Sequence, residues 1–319
     1  MVSRQDKKKQ KRKKGKWWKI TLLTVAFFLL AGGGYLYSVY NDAKQTVDKK
    51  IHENVSSIDT SVGDKKMKEQ KPLNVLLMGV DERSGDVGRS DALMVLSMKP
   101  SEDKINIVSI PRDTRTTIAG RGTVDKINHA YAFGGTDMSI NTVENFLDIE
   151  LDYYVKMNME GLSGLVDAVG GVTVNNSLQW TDKGYYQKGY VYDKGTIQLN
   201  GPQAMGYVRM RKQDPRGDVG RNERQRQVIQ AIIDKGASFS SVNKIGSILD
   251  VLGDNMNTNL EFADMRKLFT SYRNVAKNVE TYQMTGTGTT IGGIWYLQVP
   301  DAEVQKVHNM LQNSKEGQL

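Results

Sequence analysis

The chain has 319 residues, 39% of them apolar and 8% aromatic, enough to bury a sizeable core in one globular domain or two small ones. Its net charge of +8 is uneven: residues 1–19, MVSRQDKKKQKRKKGKWWK, carry ten Lys and Arg against one Asp, so the remaining 300 residues sum to −1. A near-neutral body disfavours nucleic acid as a partner, and the absence of cysteine excludes structural disulfides and thiol chemistry.

After the basic tail comes ITLLTVAFFLLAGGGYLYSVY, residues 20–40, an uncharged run long enough at about 1.5 Å per residue to cross a bilayer. Cations on its N-terminal side, with Trp17, Trp18, Tyr35, Tyr37 and Tyr40 at its two ends, predict a single-pass signal-anchor. Residues 1–19 are then cytoplasmic, and everything beyond residue 40 is extracytoplasmic. A cleaved signal peptide is the competing reading, but the run is long for one and no small-x-small site ends it. Residues 41–72 are rich in charge and poor in large apolar side chains and read as a stalk; the domain proper is 73–319.

From Leu73 onward, LNVLLMGV (73–80), ALMVLSM (92–98) and INIVSI (105–110) have the continuous apolar character of strands buried on both faces. Helical patterns follow at 127–133 and 137–148. A strand at 153–159, a helix at 160–169 closed by Gly170 and Gly171, and a strand at 172–176 come next. Residues 177–198, aromatic and glycine-containing, read as a surface excursion or hairpin. Asn200 caps a helix with Pro202 in its first turn, and further helices are expected at 220–236, 241–255 and 261–276. A β segment at 281–299 and a helix from Asp301 close the chain. The alternation predicts an α/β fold, a three-layer α/β/α domain with a central mixed β-sheet, preceded by the N-terminal transmembrane helix.

Three places could carry chemistry. If 73–80 and 92–98 pair as a hairpin, Asp81 and Asp91 stand at the two feet of its loop, where close carboxylates share a proton or bind a cation; equally, one caps a turn and the other pairs with Arg89. Arg112 and Asp113 leave the third strand at its C-terminal end, the usual ligand edge of an open α/β sheet, or simply pair with each other. The third place is GYVRMRKQDPRGDVGRNERQRQVI (206–229). There VRMR is expected to be extended, sending Arg209 and Arg211 to one side and Met210 to the other. On the following helix, Arg221, Gln225, Val228 and Ile232 share one stripe, whereas Arg226 points away into solvent. Guanidinium forks on a buried stripe need an anion and suit phosphate oxygens. Pairing of a solvated helix face with Asp214, Asp218 and Glu223 accounts for the outward cations but not the inward ones. In DKINHAY, Lys126 and His129 line a site or cap a helix.

Taken in order, LLMGVD, RSDALMVLS, IPRDT, DKINHAY, DAVGGV and YVRMRKQDPRGDVGRNERQRQ, behind a basic tail and one span, resemble the LytR-CpsA-Psr family over residues 73–235. The resemblance implies transfer of an anionic glycopolymer, wall teichoic acid or similar, from an undecaprenyl-pyrophosphate carrier to a muramic acid hydroxyl of peptidoglycan in a Gram-positive-type envelope. It implies Mg²⁺, with Mn²⁺ as the alternative, at the positions of Asp81 and Asp91, and a pyrophosphate grip matching Arg112, Arg209, Arg211, Arg221 and Gln225. Arg89 matches a further family arginine. Asp91, Arg112 and Arg211 are the expected catalytic residues, and the lipid tail is expected in an apolar groove between sheet and helices. A polyprenyl-pyrophosphate phosphatase and a non-catalytic lipid-binding regulator are the alternatives. The loop between the two aspartates is short, which bears on how the metal site closes.

Overall fold

The fold was analysed in a computed structural model that describes residues 37–81, 88–237 and 243–312. The expected cytoplasmic tail and residues 20–36 of the expected span lie outside these residues; among the described residues no helix is long and apolar enough to cross a membrane. In chain order the elements that matter are α1 (Thr60–Lys68), β1 (Leu73–Val80), β2 (Ser90–Lys99), β3 (Lys104–Ile110), α2 (His129–Leu147), β4 (Tyr153–Met157) and α3 (Met159–Ala168). They continue with β5 (Val172–Asn176), β6 (Gly195–Leu199), α4 (Gly201–Arg209), α5 (Asp218–Ala237), α6 (Asn243–Leu252), β7 (Met256–Thr258), α7 (Phe262–Ser271), β8 (Asn278–Gln283) and α8 (Asp301–Gln312).

A six-stranded sheet in the order β7-β4-β1-β2-β3-β8 forms the centre. β1 and β2 pair antiparallel, as do β2 and β3, while β4 runs parallel to β1 and β8 parallel to β3, so the sheet is mixed. Each parallel pair needs a crossover, and the helices supply it. Strand alternation sends Leu76, Met78 and Val95 to one face, where Tyr131, Ile140 and Leu147 of α2 and Val307 of α8 cover them. Val75, Met94 and Ile107 point to the other face, against Met67 of α1, Ile229 and Ile233 of α5 and Met265 of α7. Both faces being covered explains why the strands read as unbroken apolar runs.

The two helical patterns expected at 127–133 and 137–148 are the two arms of α2, joined at a kink where Gly134 and Gly135 leave helical geometry; Gly135 has φ 63°, which glycine adopts without strain. Asn200 caps α4 in a reciprocal capping box with Gln203, with Pro202 in the first turn. The excursion at 177–198 is less superficial than expected. Trp180 and Tyr192 are buried and stack at 4.6 Å, with Tyr207 of α4 5.4 Å from the indole, so the segment contributes to the core of α3, α4, β5 and β6.

Residues 41–72, expected as a stalk, are packed against the domain. The helical segment around residues 37–46 continues through a wider turn, Val47–Ile51, and Ala43, Val47 and Ile51 are buried against Leu249, Leu252, Met256 and Phe262. Full burial of a Val or Ile side chain is worth about 1.5–3 kcal/mol, enough for two or three such residues to hold the segment down. Thr46 Oγ1 donates to Asp250 Oδ1 at 2.8 Å, and Tyr153 Oη donates to Asp64 of α1 at 3.1 Å.

Between α4 and α5 the chain turns on Asp214. Its buried carboxylate accepts from Arg224 Nη1 at 2.7 Å, from the Arg216 backbone N–H at 2.9 Å and from the Arg216 guanidinium. Arg224 in turn donates to the Met210 carbonyl oxygen at 2.5 Å, so one ionic node ties residues 210–216 to α5. Only glycine fits at 220, since a Cβ there would sit 1.9 Å from Asp214 Oδ2. Burial alone would raise the Asp214 pKa, but the hydrogen bonds from Arg216 and Arg224 win and hold it at about 2. A folded pKa below the unfolded one stabilises above the unfolded value and is lost as pH falls. Replacing Asp214 by Asn is therefore expected to cost about 3 kcal/mol near neutral pH, because Arg224 is left buried and unpaired. Chemical denaturation followed from pH 7 to pH 2 should also show the acid-side loss between about pH 4 and pH 2 reduced in the variant.

Candidate functional site

The chemistry-bearing residues gather at one end of the β1–β2–β3 meander. Val80 pairs with Ser90 but Gly79 pairs with Ala92, so Asp91 is the extra residue of a β-bulge, a device that re-aims a side chain at a strand end. Asp81 is held opposite Arg89, donating its N–H to the Arg89 carbonyl at 3.4 Å. The two aspartates thus stand at the feet of the loop, and both line a polar cavity of about 260 Å³ with Arg89, Arg112 and Asp113. In β2–β3 the register Leu93↔Ile110 brings Arg112, two residues beyond Ile110, opposite Asp91. Arg112 Nη1 accordingly donates to Asp91 Oδ1 at 2.8 Å.

A second group converges from α5. Asp218, its first residue, lies 2.9 Å from Arg221 Nη2, 3.2 Å from Arg211 Nε and 3.7 Å from Arg112 Nη2. These contacts leave donors unused: Arg112 Nε and Arg221 Nε are buried without a hydrogen-bond partner. Burial would depress the Arg112 guanidinium, but its hydrogen bond to Asp91 and the charges of Asp91, Asp218 and Asp113 hold it above its ordinary pKa. Arg221 goes the other way, pushed down by burial against the pull of Asp218. The 20-residue helix α5 also points its N-terminus here, adding partial positive charge. This end of the sheet is built to receive an anion that competes with Asp218.

The same polar cavity is bounded by Lys126, Asn128 and His129. Lys126 Nζ donates to Asp113 Oδ1 at 2.6 Å, and His129 Nδ1 is 2.9 Å from Asp125 Oδ2, so both residues of DKINHAY line the site. Below the arginines, between the β1–β2–β4 face and helices α3 and α5, runs an apolar cavity of about 340 Å³ lined by Leu77, Met94, Val155, Leu162, Ile229 and Ile232, among others. The half-buried residues of β1 and β2, Leu77, Gly79, Ala92 and Leu96, are on its wall. Gln225, 8% exposed, lines it one turn beyond Arg221. One face of α5 therefore carries a guanidinium at the ionic site, an amide at the junction and aliphatic residues along the cavity.

Two sequence expectations need correction. The VRMR segment is not extended throughout: α4 runs to Arg209 and the chain opens only at Met210, which is buried. Arg209 is consequently half-buried at a helix end, forms no ion pair with any described carboxylate, and is not brought to Asp218 as Arg211 is. Arg226 does not point into solvent. It is 8% exposed, donates from Nη1 to Gln283 Oε1 at 3.1 Å, and burial pushes its pKa down to about 10. The residue that sequence reasoning undervalued is Asp218, three positions before Arg221 and so on the same helix face. That spacing was the available signal.

Comparison with known proteins matches residues 34–313 to the LytR_cpsA_psr family. The chain belongs to that family. It is 45% identical over 284 residues, 89% of this chain and 91% of that protein, to the polyisoprenyl-teichoic acid–peptidoglycan teichoic acid transferase TagU of Bacillus subtilis. A TagU of Bacillus anthracis is 48% identical over 288 residues, covering 89% of this chain and 93% of its own. Among solved structures, B. subtilis TagU superposes with a TM-score of 0.61 at 44% identity, covering 77% of this chain and 99% of that one. TagT bound to LIIa-WTA superposes at 0.66 and 34% identity, covering 82% and 94%. The mixed α/β fold with its central mixed sheet is thus the fold of solved family members.

Because Asp218 occupies the arginine cluster internally, Asp218→Asn is expected to tighten binding of inorganic pyrophosphate by roughly tenfold at low salt, with a steeper loss on adding salt than in the unsubstituted protein. Calorimetric titration at two ionic strengths reads both quantities.

Proposed function

We propose that this protein transfers an anionic glycopolymer of the teichoic acid class from a polyprenyl-pyrophosphate carrier to peptidoglycan. The observation that carries the reading is one junction: the Nε–H groups of Arg112 and Arg221 are buried without a hydrogen-bond partner, and one turn along α5 from Arg221, Gln225 lines an apolar cavity. A ligand satisfying both needs an anionic head and an apolar tail. The names of the TagU relatives support the same chemistry and the same acceptor.

Asp81 and Asp91 fit a divalent cation by the chemistry of their donor set. Two carboxylates are what Mg²⁺ commonly takes from a protein, with substrate phosphate and water supplying the rest, and among the described residues no larger His/Cys/Asp/Glu cluster offers a zinc-type site. When bound, Mg²⁺ would neutralise phosphate charge and that developing on the leaving group. In the proposed reaction the acceptor hydroxyl oxygen forms a bond to the phosphorus that carries the polymer, and the bond from that phosphorus to the carrier's phosphate breaks. The carrier departs as its monophosphate with the electron pair. The hydroxyl proton passes to a site carboxylate, for which we propose Asp91 Oδ2, since Oδ1 is engaged by Arg112. Arg112, Arg211 and Arg221 hold the phosphate oxygens and stabilise charge as it shifts to the carrier phosphate, a contribution of several kcal/mol in comparable preorganised sites. Asp218 releases the arginines to the incoming anion. In this reading residues 1–19 are cytoplasmic and 20–40 anchor an extracytoplasmic domain in the cell membrane of a Gram-positive-type envelope.

Incubating the full-length protein with labelled lipid-linked polymer and peptidoglycan tests the reaction. Label on glycan supports transfer, free phosphate marks a phosphatase, and binding without turnover marks a regulator. Asp91→Ala is expected to abolish metal-dependent turnover, and Arg211→Lys to lose most of it, because an ammonium cannot form the bidentate fork; wild-type rates in Asp91→Ala would refute the metal assignment. Filling the apolar cavity with Ile229→Trp should lower kcat for long-chain carriers at least tenfold while leaving turnover of short-chain analogues within about threefold, as read by steady-state kinetics with labelled donors.

A further inference from the structure

On the side of Arg112 away from the polar cavity lies a separate cleft of about 370 Å³ that the reaction as described leaves unused. Its inner end is the ionic centre itself, since Arg112, Asp113, Asp218 and Arg221 contribute to its wall. Its outer wall is Trp295, on a β-hairpin formed by Thr287–Ile291 and Ile294–Gln298. The hairpin is fixed to the catalytic edge of the sheet, as the Leu297 N–H donates to the Asp113 carbonyl at 2.9 Å. Residues 295 and 297 point the same way along the strand, so this bond aims Trp295 into the cleft.

The cleft has two features of a built site. Trp295 lies against Gly288 of the opposing strand, where a Cβ would stand 3.1 Å from the indole, and yet the residue remains 49% exposed. Glycine on one side and open cleft on the other make a flat apolar platform beside the reaction centre. Arg226 also lines the cleft; it is 8% exposed, its Nε is buried without a partner, and its one hydrogen bond goes to neutral Gln283. Among the described residues no carboxylate lies within ion-pair distance of it, so a buried cation here awaits an acceptor oxygen.

We propose that this cleft is the acceptor subsite and holds one pyranose ring of a peptidoglycan glycan strand, a proposal that rests on the transferase reading above. A pyranose presents a face of C–H groups to an indole while its edge carries hydroxyl and carbonyl oxygens. An N-acetylated, lactyl-substituted ring brings carbonyl oxygens that Arg226 Nε can satisfy. The polar cavity, by contrast, is walled almost wholly by charged and polar groups and offers no such platform. The carrier's tail occupies the cavity beyond Gln225 and the acceptor approaches along a different face of α5, which keeps leaving group and nucleophile on separate paths.

The test is direct binding of a soluble N-acetylglucosamine–N-acetylmuramic acid tetrasaccharide to the full-length protein in detergent, without donor, by calorimetry. The unsubstituted protein should bind it; Trp295→Ala and Gly288→Val, the latter displacing the indole from the other side, should each weaken binding about tenfold, and Trp295→Phe less than about threefold. Thermal melting of each variant shows that the fold is kept. Unchanged affinity in both the Ala and Val variants, or no glycan binding by the unsubstituted protein, overturns the assignment. It is overturned equally if Trp295→Ala weakens binding of a lipid-free disaccharide pyrophosphate and leaves the tetrasaccharide unaffected, since the donor's sugar then fills the cleft. Failure of the transferase reading registers separately, as absence of label on glycan in the transfer assay.

Discussion

Three guanidinium groups share one carboxylate at the edge of this sheet, and much of the surrounding structure serves to keep them there. Arg112 comes from the end of β3, Arg211 from the loop after α4 and Arg221 from the first turn of α5, each within 4 Å of Asp218. Bringing like charges together in a partly buried place is unfavourable unless anions offset it and the supporting chain cannot relax. The Asp214–Arg224 node removes that freedom for residues 210–216, and the register between β2 and β3 removes it for Arg112. One aspartate still leaves guanidinium N–H groups of Arg112 and Arg221 without a partner. The apoprotein therefore holds an incompletely satisfied cation cluster, and a polyvalent anion is the natural complement.

The cavity beneath the cluster depends on the sizes of residues in the sheet. Gly79 and Ala92 face each other across β1 and β2, and a Cβ added at Gly79 would stand 3.0 Å from the Ala92 methyl. These are the smallest side chains on the cavity wall, and they lie within two residues of Asp81 and Asp91 in sequence. Space for an apolar group is thereby kept open where the ionic residues begin. Towards the helices the wall becomes aliphatic, with Ile229, Ile232 and Ile233 on α5 and Leu162 and Leu165 on α3.

Much of this was legible in the sequence where a residue's role follows from local pattern. Apolar runs marked β1, β2 and β3 because both sheet faces are covered; Asn200 and Pro202 marked a cap and a first turn because their backbone demands are local. The stripe of Arg221, Gln225 and Ile232 was readable because a helix repeats every 3.6 residues. Arg226 was misplaced because its burial comes from β8, through Gln283, almost sixty positions away, and a helical wheel carries no information about a neighbour that distant. Arg209 was misplaced because the helix lasted to its own position, and helix ends are where pattern is weakest. Trp180 and Tyr192 looked like surface aromatics because the core they enter is assembled from α3, α4 and β5, none of which their local sequence announces. Asp218 was visible but seemed to be a neutraliser of outward cations, when only the tertiary approach of Arg112 and Arg211 gives it its position.

The proposed division of labour between cluster and cavity has an energetic consequence. On the proposed reading a polyprenyl tail would reach this protein from a bilayer rather than from water, so burying it in an apolar cavity would exchange one hydrocarbon environment for another. The usual ~25 cal/mol per Å² of hydrophobic stabilisation does not apply to that transfer. Net affinity must then come mainly from the charged head, which leaves a polar interface for the unpartnered N–H groups of Arg112 and Arg221 and displaces Asp218. What the cavity would supply on this proposal is registration: with a tail lodged beyond Gln225, the phosphate nearest the tail would be held at the N-terminal turn of α5 and the next phosphorus directed towards Arg112 and the two aspartates. Positioning of this kind lowers a barrier without tightening ground-state binding. Selectivity for a lipid-linked over a free pyrophosphate would on this account appear in kcat more than in affinity.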